Sequence, residues 1–187
     1  IYSDSNRAKW LFSELIDFGL KIAEEYVRVG IDMAALGDDW GWQRGPLMPP
    51  EIFVKYVKPQ YKRLIDFYKE HGVLIHFHSC GCIQDIIGHF VDLKIDVLNP
   101  LQATANNLDL IRDKTQGKMA LEGGVSSGTL MHKEPEEIVK EVRQRLRQLG
   151  EKGGYIIGPD QGIPFPTRNV VALIKTTEIY GKYPLPY

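Results

Sequence analysis

The feature that most constrains this chain is an alternation of two periodicities. Five short apolar, β-branched runs, Ile31–Gly37, Val73–His78, Ile95–Asn99, Lys118–Glu122 and Tyr155–Gly158, are separated by longer stretches with helical spacing. Strands interleaved with helices imply a parallel sheet, because parallel neighbours need a crossover and not a hairpin. Five such units are too few to close a barrel of eight.

The intervening segments read as helices. Ser3–Val29 is expected to bury a stripe of Trp10, Leu11, Leu15, Phe18 and Ile22. Phe53–Lys69 follows the Pro49-Pro50 punctuation, and Ile83–Asp92, Leu108–Gln116 and Val170–Tyr180 complete the set. After Pro135, Ile138, Val139, Val142, Leu146 and Leu149 recur on one helical face. Pro135 with Glu136 and Glu137 makes a favourable helix start, since proline tolerates the first turn and carboxylates suit the positive dipole end.

Composition excludes several functions. Lys and Arg number 23 against 24 for Asp and Glu, so no charge excess draws the chain to nucleic acid or an anionic membrane. No apolar run approaches the roughly 18 residues that span a bilayer. Without a basic-then-apolar leader, a cytoplasmic location is the expectation. The two cysteines, Cys80 and Cys82, lie too close in sequence for an ordinary structural bridge, which favours a ligand or catalytic role for a thiol.

Reactive residue types gather just past each strand. They are Asp38-Asp39-Trp40, His78-Ser79-Cys80-Gly81-Cys82, Asn99-Pro100-Leu101-Gln102, Glu122-Gly123-Gly124 and Asp160-Gln161-Gly162. In α/β barrels this C-terminal end of the strands carries the chemistry.

Residues two apart on a strand share a face, so His78 and Cys80 can point into a mouth together. Imidazole and thiolate are natural zinc ligands; a packed, hydrogen-bonded polar pair is the alternative. His76 shares that parity about 7 Å deeper and is expected in the core or behind the ligands. Cys82 reads as a buried structural thiol.

Asp38 and Asp39 are candidates for a general acid or substrate contact, or for turn carboxylates. Trp40 and Trp42 either wall a pocket or pack the loop. The Gly-rich run 123–128 before a helix can cradle an anion. His71, His89 and His132 are expected to face solvent.

From about Gly30 to Pro184 the sequence resembles the uroporphyrinogen decarboxylase superfamily. The carriers are GDDWGWQRGPLMPPEIFVKYVKP (37–59), HSCG (78–81), IDVLNPLQ (95–102), LEGGV (121–125) and GGYIIGPDQGIPFPTRN (153–169). The resemblance implies an α/β fold, an incomplete (β/α)8 TIM barrel of about five βα units, roughly strands 4 to 8. Residues 1–187 are then the C-terminal part of that domain.

Within the superfamily, the methylcobalamin:coenzyme M methyltransferase-like branch carries the His-x-Cys-Gly pair that His78, Cys80 and Gly81 reproduce. That branch completes its zinc site with a cysteine near the last strand. Asp160 or Gln161 stands there instead, and Asp160 is the candidate third ligand. The decarboxylases' Gly-His-Gly-Ile-like run is replaced by Asp160-Gln161-Gly162-Ile163, and their Asp-Pro pair by Ser126-Ser127.

The resemblance therefore implies zinc-assisted methyl transfer between a corrinoid, carried on a partner protein, and a small thiol or related acceptor. His78, Cys80 and Asp160 would hold zinc. Asp38 and Asp39 would be catalytic, and Trp40, Asn99, Gln102, Glu122 and Gln161 would bind the small-molecule substrate. A metal-free decarboxylase-like lyase is the alternative, and a truncated, non-catalytic fragment the second. If these residues are the whole polypeptide, open sheet edges in an incomplete barrel predict self-association or pairing with a partner.

Overall fold

A computed structural model describes residues 1–186. Five parallel strands lie in sequence order, β1 (Met33–Gly37), β2 (Leu74–His78), β3 (Val97–Leu101), β4 (Ala120–Val125) and β5 (Tyr155–Pro159). The sheet does not close, so β1 and β5 are its two edges.

The first helix, α1 (Ser5–Val29), precedes β1. Between β1 and β2, α2 (Pro50–Ile52) passes through a π-helical turn at Phe53–Val57 into α3 (Lys58–Glu70). Next come α4 (Ile87–Asp92), α5 (Leu108–Thr115), α6 (Ser127–His132) and α7 (Pro135–Arg145), the last continued by a π turn at Leu146–Gly150. α8 (Thr167–Tyr180) follows β5.

Each strand predicted from the sequence is present, with no end moved by more than three residues. The β3 shift has a local cause: Lys94 adopts φ 60° and the Ile95 N–H bonds back to Phe90, so the turn runs on before the strand begins.

Helix starts follow from short polar caps. Asp4 accepts from the Arg7 N–H, Asn107 from Leu110 and Ser126 from Thr129. The stretch 83–92 is helical only from Ile87. Upstream, the Cys82 and Ile83 N–H groups are already taken by the Trp42 carbonyl and the Asn106 side chain.

Strand alternation divides the molecule into two faces. On β2, Ile75 and Phe77 are fully buried beneath the helices, while His76 and His78 point to the other, concave side. The main core joins Ile65, Ile75, Phe77, Phe90, Leu98 and Leu121 between sheet and helices. A second cluster of Val125, Leu130, Ile138, Val142 and Leu146 packs under α8. On the concave side, Met33, Leu74 and Ile156 remain substantially exposed, as expected of barrel-interior residues in a sheet that is open.

The stripe predicted for α1 is corrected. Trp10, Leu11, Leu15, Phe18 and Ile22 are exposed, and the buried side carries Ile16 and Ala23, with Phe12, Leu20 and Val27 partly covered. The apolar arc of this amphipathic helix is wider than the face that α3 covers, so periodicity identifies the helix without saying which part of the arc meets α3. His89 also departs from expectation: it is half-buried, with its ring against Phe53 and its Nδ1 beside Lys58.

Candidate functional site at the ends of the strands

Sheet register builds the site. Gly37, His78 and Asn99 are aligned across β1, β2 and β3, which brings the three following loops to one height. The loop after β1 is stitched to the loop after β2. The Asp38 N–H donates to the His78 carbonyl, the Trp40 N–H to Ser79 Oγ, and the Cys82 N–H to the Trp42 carbonyl. The Cys80 N–H donates to Asp39 Oδ1 at 2.9 Å.

The two backbones touch where side chains would not fit. A Cβ on Gly41 would lie 2.4 Å from the Cys80 carbonyl oxygen, and Gly81 has a positive φ of 83°.

This stitching gathers three potential ligands. Among the described residues, one group of three such side chains, Asp39, His78 and Cys80, places a donor atom from each within 4.8 Å of the others. His78 Nε2 lies 3.3 Å from Cys80 Sγ and 3.6 Å from Asp39 Oδ1. On its other side, His78 Nδ1 meets Asn99 Oδ1 at 3.1 Å. An amide oxygen at Nδ1 favours the tautomer protonated on that nitrogen, the one that leaves Nε2 free to ligate. Gln161 Nε2 donates to Cys80 Sγ at 3.6 Å.

The His78–Cys80 and His78–Asp39 separations suit a tetrahedral metal. Zinc bonds of about 2.0–2.3 Å set at tetrahedral angles put neighbouring donors about 3.5 Å apart. The ordinary chemistry of the thiol runs the other way. Burial raises the Cys80 pKa and the nearby Asp39 and Asp160 carboxylates add to this, while the Gln161 hydrogen bond opposes it. Without a cation Cys80 therefore stays a thiol; beside one it would ionise.

Below the cluster, His76 Nε2 meets Glu122 Oε2 at 2.7 Å on the concave face, with both side chains about three-quarters buried. A cleft lined by His78, Asn99, Glu122, Pro159 and Gln161 opens over this pair. Asp38 Oδ2 accepts from Tyr61 Oη at 3.2 Å, a partner the sequence did not reveal. Burial and that carboxylate raise the Tyr61 pKa well above the ordinary phenol range.

Three expected site residues lie elsewhere. Trp40 is 1% exposed and packs against Phe53, Tyr61, Phe77 and Phe90, so it does not reach the cleft. Gln102 is buried, accepting from the Gly81 N–H and donating to Thr104, so its amide holds the loop. Asp160 is 3% exposed, and its carboxylate accepts from both the N–H and the hydroxyl of Ser127. It stands outside the three-donor group, whose carboxylate is that of Asp39. The Gly-rich loop after β4 is likewise committed, since the Ser126 and Ser127 N–H groups bond to Glu141 and Asp160.

The family model described as Uroporphyrinogen decarboxylase (URO-D) matches residues 1–180. No curated protein matches the chain. Among solved structures, the chain is similar to a methyltransferase from Methanosarcina mazei, with a TM-score of 0.66 at 22% identity over 83% of this chain and 44% of that one. It is also similar to dihydropteroate synthase from Burkholderia cenocepacia in complex with 7,8-dihydropteroate, with a TM-score of 0.50 at 18% identity over 87% of this chain and 61% of that one. At these identities the likeness is one of fold, and the chain spans less than half of the first structure's length.

Proposed function

Because the chain belongs to the uroporphyrinogen decarboxylase family, we propose that it acts in methyl transfer between a corrinoid on a partner protein and a small thiol or related acceptor. The observation that carries this reading is the His78–Cys80 pair. An imidazole nitrogen and a thiol sulfur stand 3.3 Å apart at the C-terminal end of β2, beside an open cleft. A packed polar pair would need no such access.

Zinc bound by this pair would supply one thing, a lowered pKa for an acceptor thiol, so that the sulfur reacts as thiolate. The remaining work belongs to the chain. Asn99 orients the His78 ring through Nδ1. Gln161 donates to the Cys80 sulfur and limits its swing. Glu122 and His76, already paired across the concave face, are placed to take up the proton that an acceptor thiol releases. Asp38, backed by Tyr61, lies at the rim, where it can bind a polar or cationic part of a small substrate.

The test is metal analysis of the purified chain with His78→Ala and Cys80→Ala, followed by assay with methylcobalamin and a simple thiol. One zinc per chain, lost in both variants, with thiol methylation following the metal, is the expected result. A parent that takes up no zinc when supplied would overturn the reading and leave metal-free decarboxylation as the family activity to assay.

A further inference from the structure

We propose that Asp39 is the third protein ligand of the His78–Cys80 metal site, giving this chain a nitrogen, sulfur and oxygen donor set drawn from two adjacent loops. The inference rests on the metal reading above and adds to it a ligand, a donor chemistry and a metal preference.

Three observations carry it. First, the separations are those of a coordination site: Asp39 Oδ1 is 3.6 Å from His78 Nε2, and all three donors lie within 4.8 Å of one another. Second, Asp39 is held in place independently of any metal. It accepts from the Cys80 N–H at 2.9 Å, while backbone bonds from Asp38 and Trp40 clamp the residues on either side of it to the β2 loop. Third, the competing carboxylate is turned away: Asp160 is 3% exposed, its Oδ1 accepts twice from Ser127 and it lies outside the three-donor group, whereas the Asp39 side chain is 60% exposed.

The other candidate for the third position, Gln161, offers Cys80 an amide N–H, which donates to sulfur and cannot ligate a cation.

The donor set has consequences. Three protein ligands leave a fourth position for a small molecule, as in catalytic zinc sites. One thiolate and one carboxylate neutralise a divalent ion, as two thiolates would. A carboxylate oxygen is harder than a thiolate, however, so the site should accept cobalt(II) and iron(II) more readily than a thiolate-rich one.

Asp39→Asn separates ligation from loop structure, because its amide oxygen can still accept from the Cys80 N–H. Zinc titration and cobalt(II) absorption would be measured on the reduced parent, Asp39→Asn, Asp160→Asn and Cys80→Ser. The parent is expected to bind one metal ion and to show a cobalt spectrum with a thiolate charge-transfer band that Cys80→Ser abolishes. Asp39→Asn should lose more than the 10–100-fold in zinc affinity typical of a change behind the ligands, with circular dichroism unchanged. Asp160→Asn should bind like the parent.

Parental affinity and an unaltered cobalt spectrum in Asp39→Asn would overturn the assignment while leaving a His78–Cys80 site standing. Loss of metal in Asp160→Asn alone would overturn it in favour of that carboxylate. A parent that binds neither ion would overturn this assignment and the metal reading together.

Discussion

Gly41 and Gly81 meet backbone to backbone: a Cβ on Gly81 would stand 2.4 Å from the Gly41 carbonyl carbon. This contact lets the loop after β1 lie flat on the loop after β2, and it is why Asp39 reaches Cys80 across 41 residues of sequence. Neither loop can retreat, because Asp38, Trp40 and Cys82 bond across the same seam.

Gly81→Ala combines a left-handed backbone with that clash and is expected to destabilise the chain by about 1–3 kcal/mol. Gly45→Ala, in the facing loop after β1, meets nothing within 4 Å and should change stability by less than about 0.5 kcal/mol. Denaturant midpoints of the two variants check both values.

The two tryptophans of the β1 loop should behave oppositely. Trp40 is enclosed by four aromatic rings, and Trp40→Ala is expected to cost about 3–5 kcal/mol. Trp42 is 65% exposed, and Trp42→Ala should stay within about 0.5 kcal/mol. Equal losses in the two would contradict the placement of Trp40 in the core.

Cys80 reactivity should report on the cluster. Burial raises the thiol pKa and nearby carboxylates add to it, so in metal-free protein the thiolate appears only above the ordinary cysteine range. At pH 8 alkylation by iodoacetamide should therefore be slower than for free cysteine, and it should rise with pH. Removing a contributing charge by Asp39→Asn should move the rise to lower pH. Cys82 is 3% exposed and should stay unlabelled until the chain unfolds, which makes it an internal control. Zinc should protect Cys80 and chelation should restore labelling; peptide mapping by mass spectrometry distinguishes the two sites.

Asn99 is expected to act through His78. Asn99→Ala removes the acceptor at Nδ1 and should lower zinc affinity by about 10–100-fold with the fold intact. Gln102→Ala should act on stability instead, since its side chain holds the Gly81 N–H. Chelator competition and thermal unfolding separate the two effects.

The exposed side of α1 and the free edges of β1 and β5 predict self-association. Leu11, Leu15, Phe18 and Ile22, spaced three and four apart, form an exposed apolar stripe on α1, and Ile22 shares a cleft with the edge strand β1. Sedimentation should show mass rising with concentration, and Leu15→Lys with Phe18→Glu should reduce it. A monomer at all concentrations would show that edge and helix are each protected.

Much of this protein was legible from its residues alone. Alternating periodicities identify the five strands in order, and loop chemistry locates a mouth at their C-terminal ends. The two-residue spacing points to the 3.3 Å approach of His78 and Cys80, although β2 ends at His78 and Cys80 stands in the loop after it. Local signals also predict the start of α7 at Pro135, where ring geometry and dipole agree.

Only the tertiary structure decided the rest, because those outcomes depend on what lies across a seam or beneath a helix. Nothing in the chain order sets Asp39 beside Cys80 and not Asp160; the Gly41–Gly81 approach does so, while Ser127 takes the other carboxylate. Trp40 and Trp42, two residues apart in one loop, are divided between core and solvent by the cage of four rings. α1 turns Ile16 and Ala23 inward because that face meets α3, and a wide apolar arc carries no record of which part a neighbour will cover. Periodicity and parity act within a few residues; ligand sets and buried faces are set by contacts between segments that the sequence leaves far apart.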